Sequence, residues 1–543
     1  LNFRTFPTAC VKDLSKFYQS IKVGGRDKHL RRVLWRGDGI NTAPKIYTTE
    51  TVNFGDKPAG CVALTGLRQT ADLYQHIDQE AAQKLKDNNY VDDVATGSDT
   101  KEQAIRLSTN MDKIVEMGGF KFKSTIMSGD AGEPRKVLGT GWDTEIDTLF
   151  IDVKVNTSPK RKGIRTQPNI DFDKVKTNFP EQITKRIIWR VVLGQFDLLG
   201  LACIFFIRLK LLMRDLSGAE EQKIGWDTPL AKDIRDRFVN ILDMMGGVQE
   251  LRFPRCITPE GKAEGKKPDL LIFGDGSKQA FCALAYIRWE MKDGGYKCFL
   301  LTGKTRVAPI RKISIPRLEL LGSVAAVRLA ESIQDSLSIE IGNRYFFTDS
   351  SAVYGMIRGE CGSFQEFFGT RTGEIKSKSK PETEWFWIPT NENLSDLGTR
   401  DDVTPATLHK DSVYLNGSEW MKDDFSTWPV SQKPGGQIPE EEKCPAARTN
   451  TATATEPIFR YDKFSSFFKL VRVTKLVFNA TEKLKEFFHA NKKNNGKTEL
   501  RHCTAAEAEN YLFLSNQTDL QEQFEQEQEQ ECSPDYITTT NIY

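Results

Sequence analysis

The chain has 543 residues, of which 39% are hydrophobic and 28% are charged. This length predicts about three or four domains, and the hydrophobic share is large enough for cores, which excludes wholesale disorder. The 76 Lys and Arg residues against 74 Asp and Glu give a net charge of +2. That balance excludes a uniformly basic, histone-like protein and an acidic solvating chain.

Cysteine usage and hydropathy narrow the class further. The ten Cys residues form no CxxC pair, so we expect neither a disulfide framework nor a zinc ribbon, and we expect reduced, intracellular thiols. The sequence contains no apolar run of the ~20 residues that a membrane span needs, so no membrane partner is expected.

The first part of the chain alternates strand-like and helical patterns. A short apolar run ends in Asp13, and the segment RRVLWR at 31–36 is typical of a strand. Residues 59–85 are predicted to be mostly helical, and 90–95 to form a turn between strands. Apolar residues recur at helical spacing over 101–117, which predicts an amphipathic helix.

The predicted secondary structure changes twice along the middle of the chain. Residues 121–190 are predicted to be loop-rich and basic, and 185–245 strongly helical. The Gly- and Lys-rich segment 258–267 (TPEGKAEGKK) is predicted to be a linker.

Beyond this linker the pattern predicts an α/β domain at about 266–400. Its predicted elements are strands at 270–273, 281–289, 296–302, 344–348 and 385–388, with helices at 317–333 and 352–358. Residues 401–455 are predicted to be a linker, 456–515 a basic helical segment, and 516–543 a disordered Glu/Gln tail.

The strongest short motif is Tyr90-Val91-Asp92-Asp93. Adjacent carboxylates on a tight turn can face the same divalent ions, and Mg²⁺ prefers oxygen ligands. Asp13 supplies a third carboxylate from a separate strand. An isolated Asp-Asp pair is most often a solvated turn, but Tyr18, five residues after Asp13, and the later Phe54-Gly55 turn favour the functional interpretation.

This arrangement resembles the palm of a reverse transcriptase, which has an Asp followed five residues later by an aromatic and then Y-x-D-D. The resemblance implies that Asp13, Asp92 and Asp93 hold the catalytic metals. Tyr18 would select deoxynucleotides, and Phe54 and Gly55, with Tyr90, would line the nucleotide site.

Several longer segments of the sequence resemble the Pao/BEL branch of LTR retrotransposon polyproteins. The segments that carry this resemblance are VLWR, YVDDVATG, GGFKFK, VLGTGWD, FDLLGLACIFFIRLKLLMRDL and IGWDTPL. It covers roughly residues 1–430 and continues weakly to about 515, where the chain is similar to a pre-integrase region. It also implies that the fingers ahead of Asp13 are truncated and that integrase, protease and gag regions are missing.

A second set of acids lies in the predicted α/β domain. Asp275 and Asp349 each end a strand, Glu319 lies near the start of a helix, and Asp396 follows the segment WFWIPTNENLS. Singly, each is more often a cap or a solvated turn. In this order, and with PRLEL and TDSS, they resemble the four acids of a ribonuclease H domain, in which two metals clamp the scissile phosphate.

The predicted fold class is therefore α+β and multidomain. The resemblance implies a ferredoxin-like reverse transcriptase palm at 1–120, a helical thumb and connection at 121–265, and an α/β ribonuclease H-like domain at 266–400. It also implies two Mg²⁺ or Mn²⁺ ions per active site.

The expected partners are an RNA template, a DNA primer, an RNA–DNA hybrid and dNTPs, with other polyprotein products as further candidates. Basic residues before and in the helical region could contact phosphates, although a solvated loop explains them equally well. These residues are Lys154, Lys160, Arg161, Lys162, Arg165, Lys185 and Arg186. We expect a cytoplasmic, virus-like-particle location with access to the nucleus.

Two other functions stay open at this stage. The chain could be a retroelement relic or a co-opted nucleic-acid-binding protein, with ribonuclease H activity alone or with none. An aspartic protease is suggested only by the name Pao retrotransposon peptidase. The sequence has no DTG or DSG, and Asp275-Gly276-Ser277 is the nearest to it.

Overall fold

A computed structural model defines the fold. The structure describes residues 1–37, 39, 41–161, 164, 165, 167–218, 224–311, 313–359, 364–400, 403–405, 408, 412–431, 466, 469–477 and 479. Residues 1–446 form one compact unit, and 447–543 form a second. In the second unit the described part is helical at 469–477; the rest of the predicted pre-integrase segment and the Glu/Gln tail lie outside the described residues.

The N-terminal part is an antiparallel sheet with helices packed against it. Its elements are β1 (Thr8–Leu14), β2 (Arg32–Trp35), β3 (Lys45–Thr48), α1 (Ala59–Leu73), α2 (Gln79–Asp87), β4 (Asn89–Tyr90), β5 (Asp93–Ser98), α3 (Lys101–Met117) and β6 (Phe122–Met127). The sheet order is β4-β5-β1-β6, while β2 and β3 form a separate, exposed ribbon.

Strand β1 is the centre of this sheet, and its side chains alternate between two faces. Leu14 joins the core formed with α1, α2 and α3, whereas Ala9 and Val11 join a different core. Lys12 is fully buried, and its ammonium donates to Ser108 Oγ and Asp112 of α3 at 2.7 and 3.0 Å. This alternation places Asp13 on the face away from α3.

The region predicted to be loop-rich contains a sheet, and this is a correction. The elements from here to the next domain are β7 (Arg135–Val137), β8 (Thr140–Asp143), β9 (Thr148–Phe150), β10 (Lys160–Arg161), β11 (Ile164–Arg165), α4 (Val175–Asn178), α5 (Lys185–Gly194), α6 (Cys203–Gly218), α7 (Lys232–Val248) and β12 (Phe253–Pro254). The sheet order is β12-β9-β8-β7. Its strands have two to four residues, too few to show a period of two, and Leu138 and Gly139 turn the first hairpin with φ of 49° and 86°.

The third region has the predicted α/β architecture. Its elements are β13 (Asp269–Gly276), β14 (Ala280–Glu290), β15 (Tyr296–Val307), α8 (Ile315–Ser336), β16 (Arg344–Thr348), α9 (Ser351–Arg358), α10 (Glu366–Lys378), α11 (Pro381–Glu384), β17 (Trp385–Trp387) and α12 (Val413–Asn416). The sheet order is β15-β14-β13-β16-β17, with β13, β16 and β17 parallel and β14 antiparallel to both of its neighbours.

Two different layers cover this sheet. Helix α8 packs on one face in a core with Ile272 and Phe346. The other face shares a core with α6 and with residues 412–431, including Tyr414 and Trp428. Those residues were predicted to be linker, and that prediction is wrong for 412–431. The turn-forming residues of this segment suggest a linker when the sequence is considered alone. Its aromatic side chains pack against the folded sheet, so their role is not visible in the local sequence.

The predicted linker at 258–267 also needs correction at its start. Thr258 Oγ1 donates to the backbone carbonyl of Thr5 at 2.5 Å. Just before it, the fully buried Arg255 pairs with Asp147 through both oxygens, at 2.8 and 2.5 Å. Arg4 is buried beside it and donates to the carbonyls of Pro254 and Leu301. The bond of Thr258 anchors the first residue of the predicted linker, and the bonds of Arg255 and Arg4 anchor the residues just before it.

No helix among the residues that the structure describes is both long and apolar enough to span a bilayer.

Candidate active sites

The first candidate site lies where β1 and β5 end together. In the antiparallel ladder Asp13 stands directly opposite Asp93, so the two carboxylates belong to neighbouring residues on one face. Tyr90 pairs with Asp93 across the next hairpin, which leaves Val91 and Asp92 as its two-residue loop. The ladder thus brings the three predicted acids to one end of the sheet.

The hairpin loop is held by backbone geometry. Val91 has a φ of 57°, the left-handed region that a β-branched residue rarely occupies. The backbone N–H of Leu14 donates to the carbonyl of Asp92 at 2.8 Å, which ties the loop to the end of β1. Strained backbone of this kind costs roughly 1–3 kcal/mol and persists where the surroundings enforce it.

The charges of this cluster act on one another. Burial raises the pKa of Asp93, and the neighbouring charges of Asp92 and Asp13 raise it further, against an opposing effect of Lys123. The Lys123 ammonium lies 2.6 Å from Asp13 Oδ2. Within the described part of the chain, Asp13 Oδ1 is buried and has no hydrogen-bond partner.

The aromatic residues predicted for the nucleotide site are partly brought together. Tyr18 and Phe54 meet edge to face, with ring centroids 5.1 Å apart. Gly55 follows with a φ of 92°, a conformation that glycine adopts without strain. Phe54 and Tyr90 are 73% and 66% exposed, so both rings are available to a ligand. No contact between Tyr90 and the other two rings is observed among the described residues.

The second candidate site lies at one edge of the five-stranded sheet. Strands β13 and β16 are parallel neighbours, and Phe273 pairs with Phe347 two residues before Asp275 and Asp349. Both acids therefore leave the sheet at the same edge. Glu319 lies in the second turn of α8, and Asp396 lies in the short 3₁₀ helix Leu394–Gly398.

Glycines allow α8 to approach β13 closely enough to bring Glu319 to this edge. A Cβ placed on Gly276 would lie 2.1 Å from the carbonyl oxygen of Leu318, and one on Gly322 would lie 2.4 Å from that of Asp275. No side chain fits at either position. The sequence analysis did not single out these glycines, although a Gly directly after a strand-end acid is a usable signal of close backbone approach.

Each acid of the second site is held by a polar neighbour. Thr399 Oγ1 donates to Asp275 Oδ2 at 2.5 Å and lies 3.2 Å from Asp396 Oδ1. Ser350 donates to Glu319 at 2.5 Å. Two further contacts complete the set: Asn393 Nδ2 donates to Asp349 Oδ1 at 3.0 Å, and Arg400 pairs with Asp396. Sequence reasoning missed Thr399 and Asn393, because a polar residue in a turn carries no signal of its own.

The electrostatics of the second site also indicate mutual repulsion. Burial raises the pKa of Asp275 to about 6, Asp349 and Asp396 add to this, and the hydrogen bond from Thr399 opposes it. Burial likewise raises the pKa of Glu319, with an opposing effect of Ser350 and a further increase from Asp349. The structure thus brings all four predicted acids into one interacting group.

The burial of Asp275, together with the repulsion from its neighbours, predicts that Asp275→Asn stabilises the metal-free protein. The carboxyl has a folded-state pKa near 6 against an ordinary value of 3.8, so the folded state binds more protons between these values and stability falls as the pH rises through them. At pH 7.5 we expect a gain of about 1–2 kcal/mol in the free energy of unfolding, absent at pH 3.5.

Urea unfolding in a chelator at both pH values measures this effect. Asp293→Asn, in the exposed turn between β14 and β15, is the control, and we expect no change there. A loss of stability at pH 7.5 in Asp275→Asn would contradict the description of this carboxylate as destabilised by burial.

Metal binding fits the chemistry of both sites but needs rearrangement. Within the described residues, no group of three or more His, Cys, Asp or Glu side chains is arranged to hold a metal ion. In each site a donor group already contacts the carboxylates: Lys123 on Asp13, and Thr399 between Asp275 and Asp396. All the ligands are carboxylate oxygens, the donors that Mg²⁺ prefers, and Asp13 Oδ1 still lacks a partner.

The basic residues predicted to bind nucleic acid fall in two places. The backbones of Lys160, Arg161 and Arg165 lie in β10 and β11, and Lys162 lies outside the described residues. Lys154 pairs with Asp152. Lys185 and Arg186 begin α5, described below.

The second site sets four acids at one edge of a five-stranded sheet in which β13, β16 and β17 are parallel. Residues 184–350 match the family model described as Pao retrotransposon-like RNaseH-like domain. Over these residues the match confirms the resemblance to Pao/BEL retrotransposon polyproteins. It begins at the helical region before the sheet and contains Asp275, Glu319 and Asp349.

A solved structure of the foamy viral protease–reverse transcriptase in complex with an RNA/DNA hybrid is similar to this chain at 13% sequence identity and a TM-score of 0.43. The alignment covers 76% of this chain and 47% of that one, so this chain spans about half of that protein's length. No curated protein sequence matches this chain.

Proposed function

We propose that this protein synthesises DNA on an RNA or DNA template and cleaves the RNA strand of an RNA–DNA hybrid. The observation that carries the first activity is the register that sets Asp13 opposite Asp93, with Asp92 in the adjoining loop. The four acids at one edge of the five-stranded sheet support the second activity. The two sites lie in different sheets and can act separately.

Divalent ions supply the same chemistry in both sites when bound: they neutralise the phosphate and activate the attacking oxygen. In the first site Asp13, Asp92 and Asp93 would hold them, and the primer 3′-hydroxyl would form a bond to the α-phosphate of a dNTP as pyrophosphate leaves. Tyr18 and Phe54 would position the nucleotide. In the second site Asp275, Glu319, Asp349 and Asp396 would hold them, and water would form a bond to a phosphate of the RNA strand as the bond to one ribose oxygen breaks.

Primer extension and hybrid cleavage test this proposal together. The purified protein, supplied with Mg²⁺ or Mn²⁺, is expected to extend a DNA primer on an RNA template with dNTPs. It is also expected to cut the labelled RNA strand of a hybrid. Absence of both activities, with the protein folded, would contradict the proposal.

A ribonuclease H without polymerase activity is the second candidate. It is favoured by the position of the family match, which contains three acids of the second site and none of the first. Hybrid cleavage without primer extension would select it, and hybrid binding without either activity would select a binding protein.

A patch of exposed aromatic and basic residues supports nucleic acid as the partner. Trp189 on α5 and Trp226 are 40% and 45% exposed, with ring centroids 6.3 Å apart. The Lys185 ammonium lies 5.1 Å from the Trp226 ring, and Arg186 lies against the same ring while pairing with Asp227 at 2.7 and 2.8 Å. Aromatic faces stack with bases or sugars, and the cations attract phosphates.

Trp189→Ala is therefore expected to weaken binding of an RNA–DNA hybrid by at least about fivefold, because stacking of one base on an aromatic side chain is worth about 1–3 kcal/mol. Fluorescence anisotropy at several salt concentrations measures the affinity and its salt dependence. Leu73→Ala, which removes a 71% exposed apolar side chain at the end of α1, is the control and is expected to bind as wild type does. Equal affinities of wild type and Trp189→Ala would remove this patch from the nucleic-acid interface.

A further inference from the structure

Lys123 is placed beside the first acid cluster by an irregularity in the sheet. Asp13 pairs with Ser124 and Leu14 pairs with Phe122, so Lys123 is the extra, unpaired residue of β6. A β-bulge of this kind redirects a side chain and is common beside active sites. Here it directs the lysine so that its Nζ lies 2.6 Å from Asp13 Oδ2.

All three acids of the cluster act on this lysine. The hydrogen bond to Asp13 raises the pKa of Lys123, desolvation opposes this, and the charges of Asp13, Asp92 and Asp93 add to the rise. Lys12, the neighbour of Asp13 in β1, points to the opposite face and pairs with Asp112. Lys123 is the lysine whose ammonium contacts an acid of this cluster, and it partly balances the acids when no metal is present.

The ammonium of Lys123 lies where a metal ion bound to Asp13 would also have to lie. It contacts Asp13 Oδ2, one of the two oxygens of a proposed ligand, while the buried Oδ1 has no partner in the described part of the chain. The lysine side chain is 59% exposed, so its flexible stem can move into solvent without breaking a core.

We infer that Lys123 is the resident cation of the metal-free polymerase site and that divalent ions must displace it from Asp13 in order to bind. The lysine thereby lowers the affinity of the site for divalent ions and holds Asp13 in place in their absence. This inference rests on the proposed function, because it takes the three acids as the metal site.

Direct Mn²⁺ binding tests the inference without measuring activity. All proteins carry Asp275→Asn and Asp349→Asn, so that the first site dominates the signal, and free Mn²⁺ is measured by electron paramagnetic resonance. Lys123→Met is expected to bind Mn²⁺ about tenfold more tightly than the parent protein. The substitution removes a positive charge that repels the ion and lies within hydrogen-bond distance of its proposed ligand Asp13. Lys113→Met, whose ammonium contacts Asn110 on α3, is the charge-matched control and is expected to bind as the parent does.

Two results separate failure of the inference from failure of the proposed function. If the parent binds Mn²⁺, Asp92→Asn abolishes the binding and Lys123→Met leaves the affinity unchanged or weaker, the role of the lysine is overturned and the metal site stands. If neither the parent nor Lys123→Met binds Mn²⁺, the metal site itself fails and the inference fails with it. Lys123→Gln, which lacks the charge but keeps a donor, gives the same comparison should the methionine variant fail to fold.

Discussion

Asp92→Asn is expected to reduce primer extension at least about a thousandfold while hybrid cleavage continues at the wild-type rate. The amide cannot supply the anionic oxygen that a divalent ion requires, and charge stabilisation by such an ion contributes several kcal/mol to phosphoryl transfer. Single-turnover extension of a DNA primer on an RNA template measures the change. Primer extension that continues after the substitution would contradict the assignment of Asp92 as a metal ligand of the first site.

The substitution is not expected to unfold the protein. Asp92 lies in the hairpin loop, and the bond that ties this loop to β1 uses its backbone carbonyl and not its side chain. Asp87→Asn at the end of α2, which removes a carboxylate outside the cluster, is the matched control and is expected to extend primers as wild type does. A parallel loss in that control would show that the effect comes from general charge and not from the site.

Asp349→Asn is expected to have the converse effect: hybrid cleavage falls at least about a hundredfold and primer extension is retained. The charge of Asp349 contributes to the raised pKa values of both Asp275 and Glu319. Asp349 is therefore the acid that links these two groups electrostatically. Cleavage of a hybrid with a labelled RNA strand, under single-turnover conditions, measures the change.

The two substitutions also test whether the sites are independent. The first site is built on the sheet β4-β5-β1-β6 and the second on β15-β14-β13-β16-β17, so each variant is expected to lose one activity only. Loss of both activities in Asp349→Asn with its melting temperature unchanged would mean that the sites share a metal-dependent step, which contradicts the proposal.

Burial, a polar neighbour and the other acids together set the pKa of Asp275 in the second site. Burial raises the pKa of Asp275 to about 6 and the hydrogen bond from Thr399 opposes this rise, so we expect the acid limb of the proposed hybrid cleavage to depend on both. In the first site burial and the charges of Asp92 and Asp13 raise the pKa of Asp93, and the contact on Asp13 comes from a lysine and not from a hydroxyl.

Much of the fold followed from local patterns. The helix predicted at 101–117 is α3 with the same bounds, and the strands predicted around Asp275 and Asp349 are β13 and β16. These elements are long and regular enough for hydrophobic period to identify them. The short strands β7, β8 and β9 and the packed segment 412–431 were missed, because their order comes from contacts with distant residues and not from their own period.

The sequence by itself identified the residues that we propose carry the chemistry: the Tyr90-to-Asp93 motif, the acid at the end of β1, and four acids at the ends of strands and helices. These signals are local, since residue type and position in an element can be inferred from neighbours along the chain.

Only the tertiary structure decided what touches those acids. The bulge that directs Lys123 to Asp13, the close approach of α8 at Gly276, and the contact of Thr399 with Asp275 each depend on the register between segments that lie far apart in the sequence. A shift of one residue in a strand pairing would turn the same side chains to the opposite face. No pattern within one segment can specify that register, because it is set by the packing of the whole core.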